Sequence, residues 1–220
     1  MSFGALIGRD MRLAWRGGGS TLLSVAFFAT VITLVPLGIG PQSALLRAVA
    51  GGIVMLCAAL AALLSLDHLF QADFDDGSLE VLATGPLSLE SLTASKIAAH
   101  WLTTGMPLVA ITPLAAFATE LPGNNLVALL EAVALGTPAV SAVGAIGASL
   151  TLSTRRGGLI LPLIVLPLLA PVVIFGAGIV RYTQDGAPNG AFFYLAAFSL
   201  AAVLLSPFAA AAGLRTNLNA

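Results

Sequence analysis

Six stretches of this 220-residue chain contain no Asp, Glu, Lys or Arg: 17–46, 48–66, 97–119, 132–154, 157–180 and 186–214. Each is 19 to 30 residues long and consists mostly of Leu, Ala, Val, Ile, Gly and Phe. A charge at the centre of a bilayer costs at least about 2.5–3.5 kcal/mol, so charge-free apolar windows of about 20 residues mark membrane-spanning helices. Their positions predict six helices over roughly 20–40, 48–66, 97–119, 126–153, 157–180 and 191–213. The runs do not alternate with period two, which argues against a β-barrel. Composition agrees. Only 9 % of residues are charged, against about 25 % in soluble domains. With mean hydropathy at +1.01, the chain is too apolar for a water-facing globule. The expected fold is an all-α polytopic membrane protein. Residues 1–19 form an interfacial amphipathic helix and 20–220 a six-helix transmembrane domain.

The few charges orient it. With the N-terminus inside, Arg9, Arg12, Arg16, Lys96, Arg155, Arg156 and Arg215 are cytoplasmic, while Arg47 and Arg181 lie outside. Seven against two obeys the positive-inside rule, so both termini are expected in the cytoplasm. Trp15 and Trp101 then fall at the inner interface, and Tyr182 and Tyr194 at the outer one. The net charge of −1 gives no electrostatic case for nucleic acid. Cys57, the single cysteine, forms neither a disulfide nor a C-x-x-C redox pair. The first apolar run follows sixteen mixed residues and lacks a small-residue cleavage pattern, unlike a cleavable signal peptide.

The spans are not smooth. Eight of the twelve prolines fall within them, and the trio Pro162, Pro167 and Pro171 is expected to kink or break the fifth. Gly136, Gly144, Gly147, Ser141, Ala145 and Ser149 give the fourth span a small-residue face for close helix packing.

Three features face the cytoplasm. Residues 2–16 are amphipathic: Phe3, Ile7, Met11, Ala14 and Trp15 share one arc and Arg9, Arg12 and Arg16 the opposite one. Gly17, Gly18 and Gly19 end this helix, and Ser20 is placed to cap the first span. The long inner loop 67–96 carries Asp67, Asp73, Asp75, Asp76, Glu80 and Glu90 against Lys96 alone. Within it two short helices are expected, the second capped by Asp75 or Asp76 and stopped at Gly85–Pro86, before Ser88 caps the helix into the third span. Phe70, Phe74, Leu79 and Leu82 place apolar faces beside those carboxylates, as a partner-docking element would. The third feature is the basic turn Arg155–Arg156–Gly157–Gly158, a topological signal that also suits contact with the same partner.

No phosphate-binding loop, zinc-protease motif or nucleophile elbow is present in the sequence, so the chain does not read as an enzyme by itself. Its ionisable candidates for haem or substrate contact are His68 and His100 near the inner surface and Glu131 in the fourth span. No metal-ligand cluster is legible.

The stretch LLSLDHLFQADFDDGSLEVLATGPLSLESLTASKIAAHWLTTGMPLV (63–109) closely resembles the haem exporter B family, and GTPAVSAVGAIGASLTLSTRRGGLILPLIVLPLLAPVVIFG (136–176) resembles that family's second characteristic block. The resemblance implies an ABC-2-type permease subunit of the cytochrome c maturation transporter. It implies a separate ATP-binding subunit, a haem-handling membrane subunit and a periplasmic haem chaperone as partners, beside membrane lipid. The expected docking set for the ATPase is Phe70, Asp73, Phe74, Asp75, Asp76, Leu79, Glu80, Leu82, Arg155 and Arg156. Haem enters as cargo of the complex, delivered to the chaperone or released with it, and ATP binds the partner. Two permease copies per complex are expected, because ATP-driven pumps use two nucleotide sites. Read without the resemblance, the residues also fit an ABC-2-type exporter permease for another substrate or a standalone secondary carrier.

Reporter fusions after residue 16, near 124 and at 218 test the topology. The first and last should report from the cytoplasm and the middle one from outside; an outward-reporting terminus overturns it.

Overall fold

The computed structural model of the chain describes residues 2–17, 19–40, 42–152, 154 and 157–218. Among the described residues every regular element is a helix. α1 (Phe3–Gly17) precedes the first span, α2 (Gly19–Ile39). α3 (Ser43–Leu66) continues through Asp67 into α4 (His68–Asp75), and α5 (Ser78–Ala83) follows. The third span joins α6 (Leu89–His100), a wide π turn at Trp101–Gly105, and α7 (Met106–Ala118). α8 (Leu126–Thr151) is the fourth span. α9 (Gly157–Leu168) and α10 (Ala170–Gln184) share the fifth, and α11 (Gly190–Leu218) is the sixth. Five helices are long and apolar enough to cross a membrane, and the bent α9–α10 pair makes six.

The bend measures 50° and lies within the proline trio, as expected: Pro162 and Pro167 are inside α9 and Pro171 opens α10. The π turn has a related origin. Pro107 offers no N–H to the helix ladder, and just before it the Met106 N–H reaches back five residues to the Trp101 carbonyl. Trp101 then folds across Gly105, where a Cβ would stand 3.0 Å from its Nε1, and donates to Thr137 Oγ1 of α8 at 3.2 Å. Trp101 therefore lies inside the third span, not at its inner rim. The expectation put the span's start at 97; the helix begins at Leu89, because the Lys96 charge that marked the boundary is buried and paired. Ser20 likewise is the second residue of α2 and not its cap.

α8 is the central helix, packed against α3, α7, α9, α10 and α11. Its small residues allow this, as the sequence implied. Met55 of α3 inserts between Gly136 of α8 and Gly176 of α10, where a Cβ on either glycine would stand 2.6 Å from its methyl. At Gly144 a Cβ would collide with Leu66. At the far end, Asn217 of α11 donates to the Ser149 carbonyl at 2.9 Å. Gly144→Val should therefore destabilise the detergent-solubilised protein by about 1–3 kcal/mol through overpacking. Gly52→Ala, whose nearest neighbour would be Ala177 Cβ at 3.9 Å, should leave the thermal midpoint unchanged.

Candidate functional site

Both ends of the chain, α4, α5 and the start of α9 gather at one end of the bundle. The C-terminal part of α11 is tied there through Arg215 at its last turn, which pairs with Glu90 of α6, while the Asp67 carboxylate lies 3.0 Å from where a Cβ on Gly158 would stand. The short helices form as their capping residues dictate. Asp76 Oδ1 accepts the Ser78 N–H at 2.8 Å and starts α5; Gly77 makes the turn between α4 and α5 at φ +75°. Hydrogen bonding from Ser78 holds the exposed Asp76 carboxyl below the ordinary carboxylate range. Ser88 Oγ accepts the Ser91 N–H and caps α6.

Four charges from three elements meet above this end. Asp73 of α4 pairs with both Arg9 of α1 and Lys96 of α6, and its Oδ1 accepts the Ser78 hydroxyl at 2.9 Å. Asp10 of α1 lies 3.3 Å from Lys96 Nζ and 3.7 Å from Arg9. The Lys96 side chain is 5 % exposed and that of Asp73 8 %. Two cations and two anions thus balance one another, and the two most deeply buried, Lys96 and Asp73, pair directly, the condition on which ionised groups survive burial.

A cavity of about 220 Å³ lies beside this quartet, walled by α1, the start of α2, α3–α4 and the third span. His68, exposed, is on its rim and His100, buried, is deeper, so the two histidines that the sequence singled out share one cavity. His100 is buried within the bundle. It stands eleven residues past Leu89, with Nε2 2.8 Å from Ser65 Oγ and Nδ1 2.9 Å from Ser141 Oγ. Both ring nitrogens are engaged in joining α3, the third span and α8, so neither is free to ligate a metal. The volume is also below the roughly 300–1,000 Å³ of sites for drug-sized ligands. Glu131 is exposed on α8 and is not part of the cavity.

The docking residues divide. Phe70 and Leu79 are wholly buried in the chain's own core and Asp73 is taken up by the quartet, so these three have no surface to offer a partner. The acidic run misleads here, since an apolar face beside carboxylates serves equally to seat a helix on its own bundle. Phe74 and Leu82 are half-buried and Asp75, Asp76 and Glu80 exposed. Sequence reasoning missed Val81, which is 72 % exposed beside Glu80. Its signal was an apolar residue on the acidic side of a six-residue helix. It also missed Arg9 and Asp10 as interior groups; the signal there was Asp10, the lone acid amid the basic residues of α1. Arg155 and Arg156, and the side chain of Arg16, lie outside the described residues.

Lys96→Met should destabilise the protein by about 3–5 kcal/mol, because it leaves buried carboxylates uncompensated. Arg215→Met, which breaks a largely exposed pair, should cost about 1 kcal/mol or less; denaturation in detergent measures both.

Comparison with known proteins is consistent with this architecture along the whole chain. The family model described as "CcmB protein" matches residues 1–217. A protein of Paracoccus denitrificans named "Heme exporter protein B" is 52 % identical over 215 residues, covering 97 % of this chain and 99 % of that one. The protein of the same name from Pseudomonas aeruginosa is 43 % identical, over 98 % and 97 % of the two chains. That of Escherichia coli K12 is 37 % identical, over 99 % and 100 %. Matched from Met1 through the last turn of α11 by the family model, and by relatives over nearly their full lengths, the chain belongs to the CcmB protein family.

Proposed function

We propose that this chain is the membrane permease subunit of an ABC transporter that serves cytochrome c maturation. The name shared by its relatives supports that reading, with haem as the cargo of the complex. The sequence carries no nucleotide-binding motif, so ATP would be hydrolysed on a separate subunit and the energy delivered by mechanical contact. A haem-handling membrane subunit, a periplasmic haem chaperone and a second permease copy complete the proposed assembly. The bacterial source of its relatives supports placement in a bacterial inner membrane, and the Lys/Arg asymmetry supports both termini in the cytoplasm.

The ATPase would dock on α4–α5. The observation that carries this is the outward edge of the segment: Val81 stands clear of the bundle, flanked by half-buried Phe74 and Leu82 and ringed by Asp75, Asp76 and Glu80. Apolar anchors carry most of the energy of such an interface, and rim charges chiefly steer the encounter. The burial of Phe70 and Leu79 adds the stiffness that a contact transmitting force requires.

Deleting the gene should abolish haem-stained c-type cytochromes, and the intact chain should restore them. In tagged, membrane-inserted permease, Val81→Asp, Phe74→Ala and Leu82→Ala should each lower the ATPase recovered at least about fivefold, whereas Asp75→Asn should stay within about twofold of wild type. Full recovery in all three apolar variants refutes this docking site. Normal cytochrome maturation in the deletion strain refutes the function.

A further inference from the structure

An interfacial helix needs only an apolar stripe and a basic face to lie on a membrane. α1 has both, with Trp15 67 % exposed and Phe3 43 % exposed on its outward side, yet it also sends Arg9 and Asp10 into the bundle. α1 packs along α6, and its Asp10 pairs with Lys96 of that helix, while its Arg9 pairs with Asp73 of α4. Asp73 is the sole member of the quartet from α4. The cavity lies between the same elements: Asp10 and Ala14 of α1 form one wall, His68 and Asp73 of α4 another. The ion pairs of Asp73 therefore hold α4 against the α1–α6 pair at the cavity's edge.

The two carboxylates are not equivalent. Asp73 makes the close contacts to both cations, while Asp10 stands at 3.3 Å from Lys96 and 3.7 Å from Arg9. If α4 moves away, Arg9 and Lys96 lose Asp73 but keep Asp10 within ion-pair reach. Without such a substitute, withdrawal would leave the buried Lys96 unpaired, and an unpaired buried charge is costly. Because Asp10 already accepts from Lys96 at 3.3 Å, departure of Asp73 would leave that pair in place, so the cluster has a second paired arrangement of the kind a switching element needs.

We propose that Asp73 with Arg9 and Lys96 is a latch that holds α4 to α1, and that Asp10 is the stand-in carboxylate that retains Lys96 when the latch releases and the cavity, already open at His68 and Leu13, widens between the two helices. Arg9 and Asp10 are thus positioning residues. That the ATPase throws the latch rests on the docking reading above; the latch itself does not.

The test uses the assembled complex in native membranes, with Cys57→Ala and Ala14→Cys placing a single thiol on the cavity wall. A membrane-impermeant maleimide reads opening as a labelling rate. Asp73→Asn should raise the rate at least about tenfold and Arg9→Gln about threefold, without nucleotide. Asp10→Asn should keep the slow basal rate, membrane insertion and ATPase binding, yet lose both the acceleration that ATP gives the parent and most cytochrome c maturation. Arg9→Lys, which keeps the charge, should behave as the parent. Two results overturn the latch: unchanged labelling in both Arg9→Gln and an inserted Asp73→Asn, or unchanged labelling in Arg9→Gln where Asp73→Asn fails to insert. Full ATP response with normal maturation in Asp10→Asn overturns the stand-in role. Faster labelling in Asp73→Asn together with full ATPase recovery in the Val81, Phe74 and Leu82 variants refutes the docking site and leaves the latch standing.

Discussion

The arrangement of this bundle at one end depends on a single carboxylate. Asp73 neutralises Lys96 and Arg9 where water is excluded, and in doing so fixes three elements that are far apart in the chain. Lys96 can lie within a helix of the third span because that carboxylate meets it. With Lys96 held inside, α6 extends unbroken from Leu89. With Arg9 and Asp10 paired to α4 and α6, α1 is anchored to the bundle. In a low-dielectric interior a charge stripped of every partner is costly, so the cluster holds these elements together as long as each cation keeps a carboxylate.

The rest of the bundle is ordered by contact distance. α8 offers glycines where other helices offer bulk, and Met55, Leu66 and Val165 occupy the space that side chains would have taken. Polar groups in this interior serve helix packing. Ser65, His100 and Ser141 join three spans, and the Thr93 hydroxyl donates to the Pro207 carbonyl of α11 at 2.9 Å. Each such bond satisfies a group that lipid could not.

Much of this was legible from residue order alone. The six spans follow from where charge is absent, and the 50° break in the fifth from its prolines. The Ser88 cap and the turn at Asp76–Gly77 follow from local hydrogen-bonding chemistry. What escaped was pairing across the sequence. Lys96 read as a boundary because its partners are 23 and 86 positions away, and a single sequence does not show which charges meet. Phe70 and Leu79 read as anchors for a partner for the same reason: an amphipathic face declares that it will be covered, not by what. Trp101 was placed at the interface once the span's start had been set too late.

Met55 has a mechanical consequence. Its methyl fills a gap bounded by Gly136 and Gly176, so α3, α8 and α10 are pegged together by one side chain with no slack on either side. Close-packed interiors do not deform smoothly, and helices interlocked in this way cannot slide past one another without first separating. α2 carries no such peg: only 17 % of its apolar window is buried. The six spans therefore do not divide mechanically into equals. Three form a rigid keel, and any rearrangement the bundle undergoes falls to the helices hung around it.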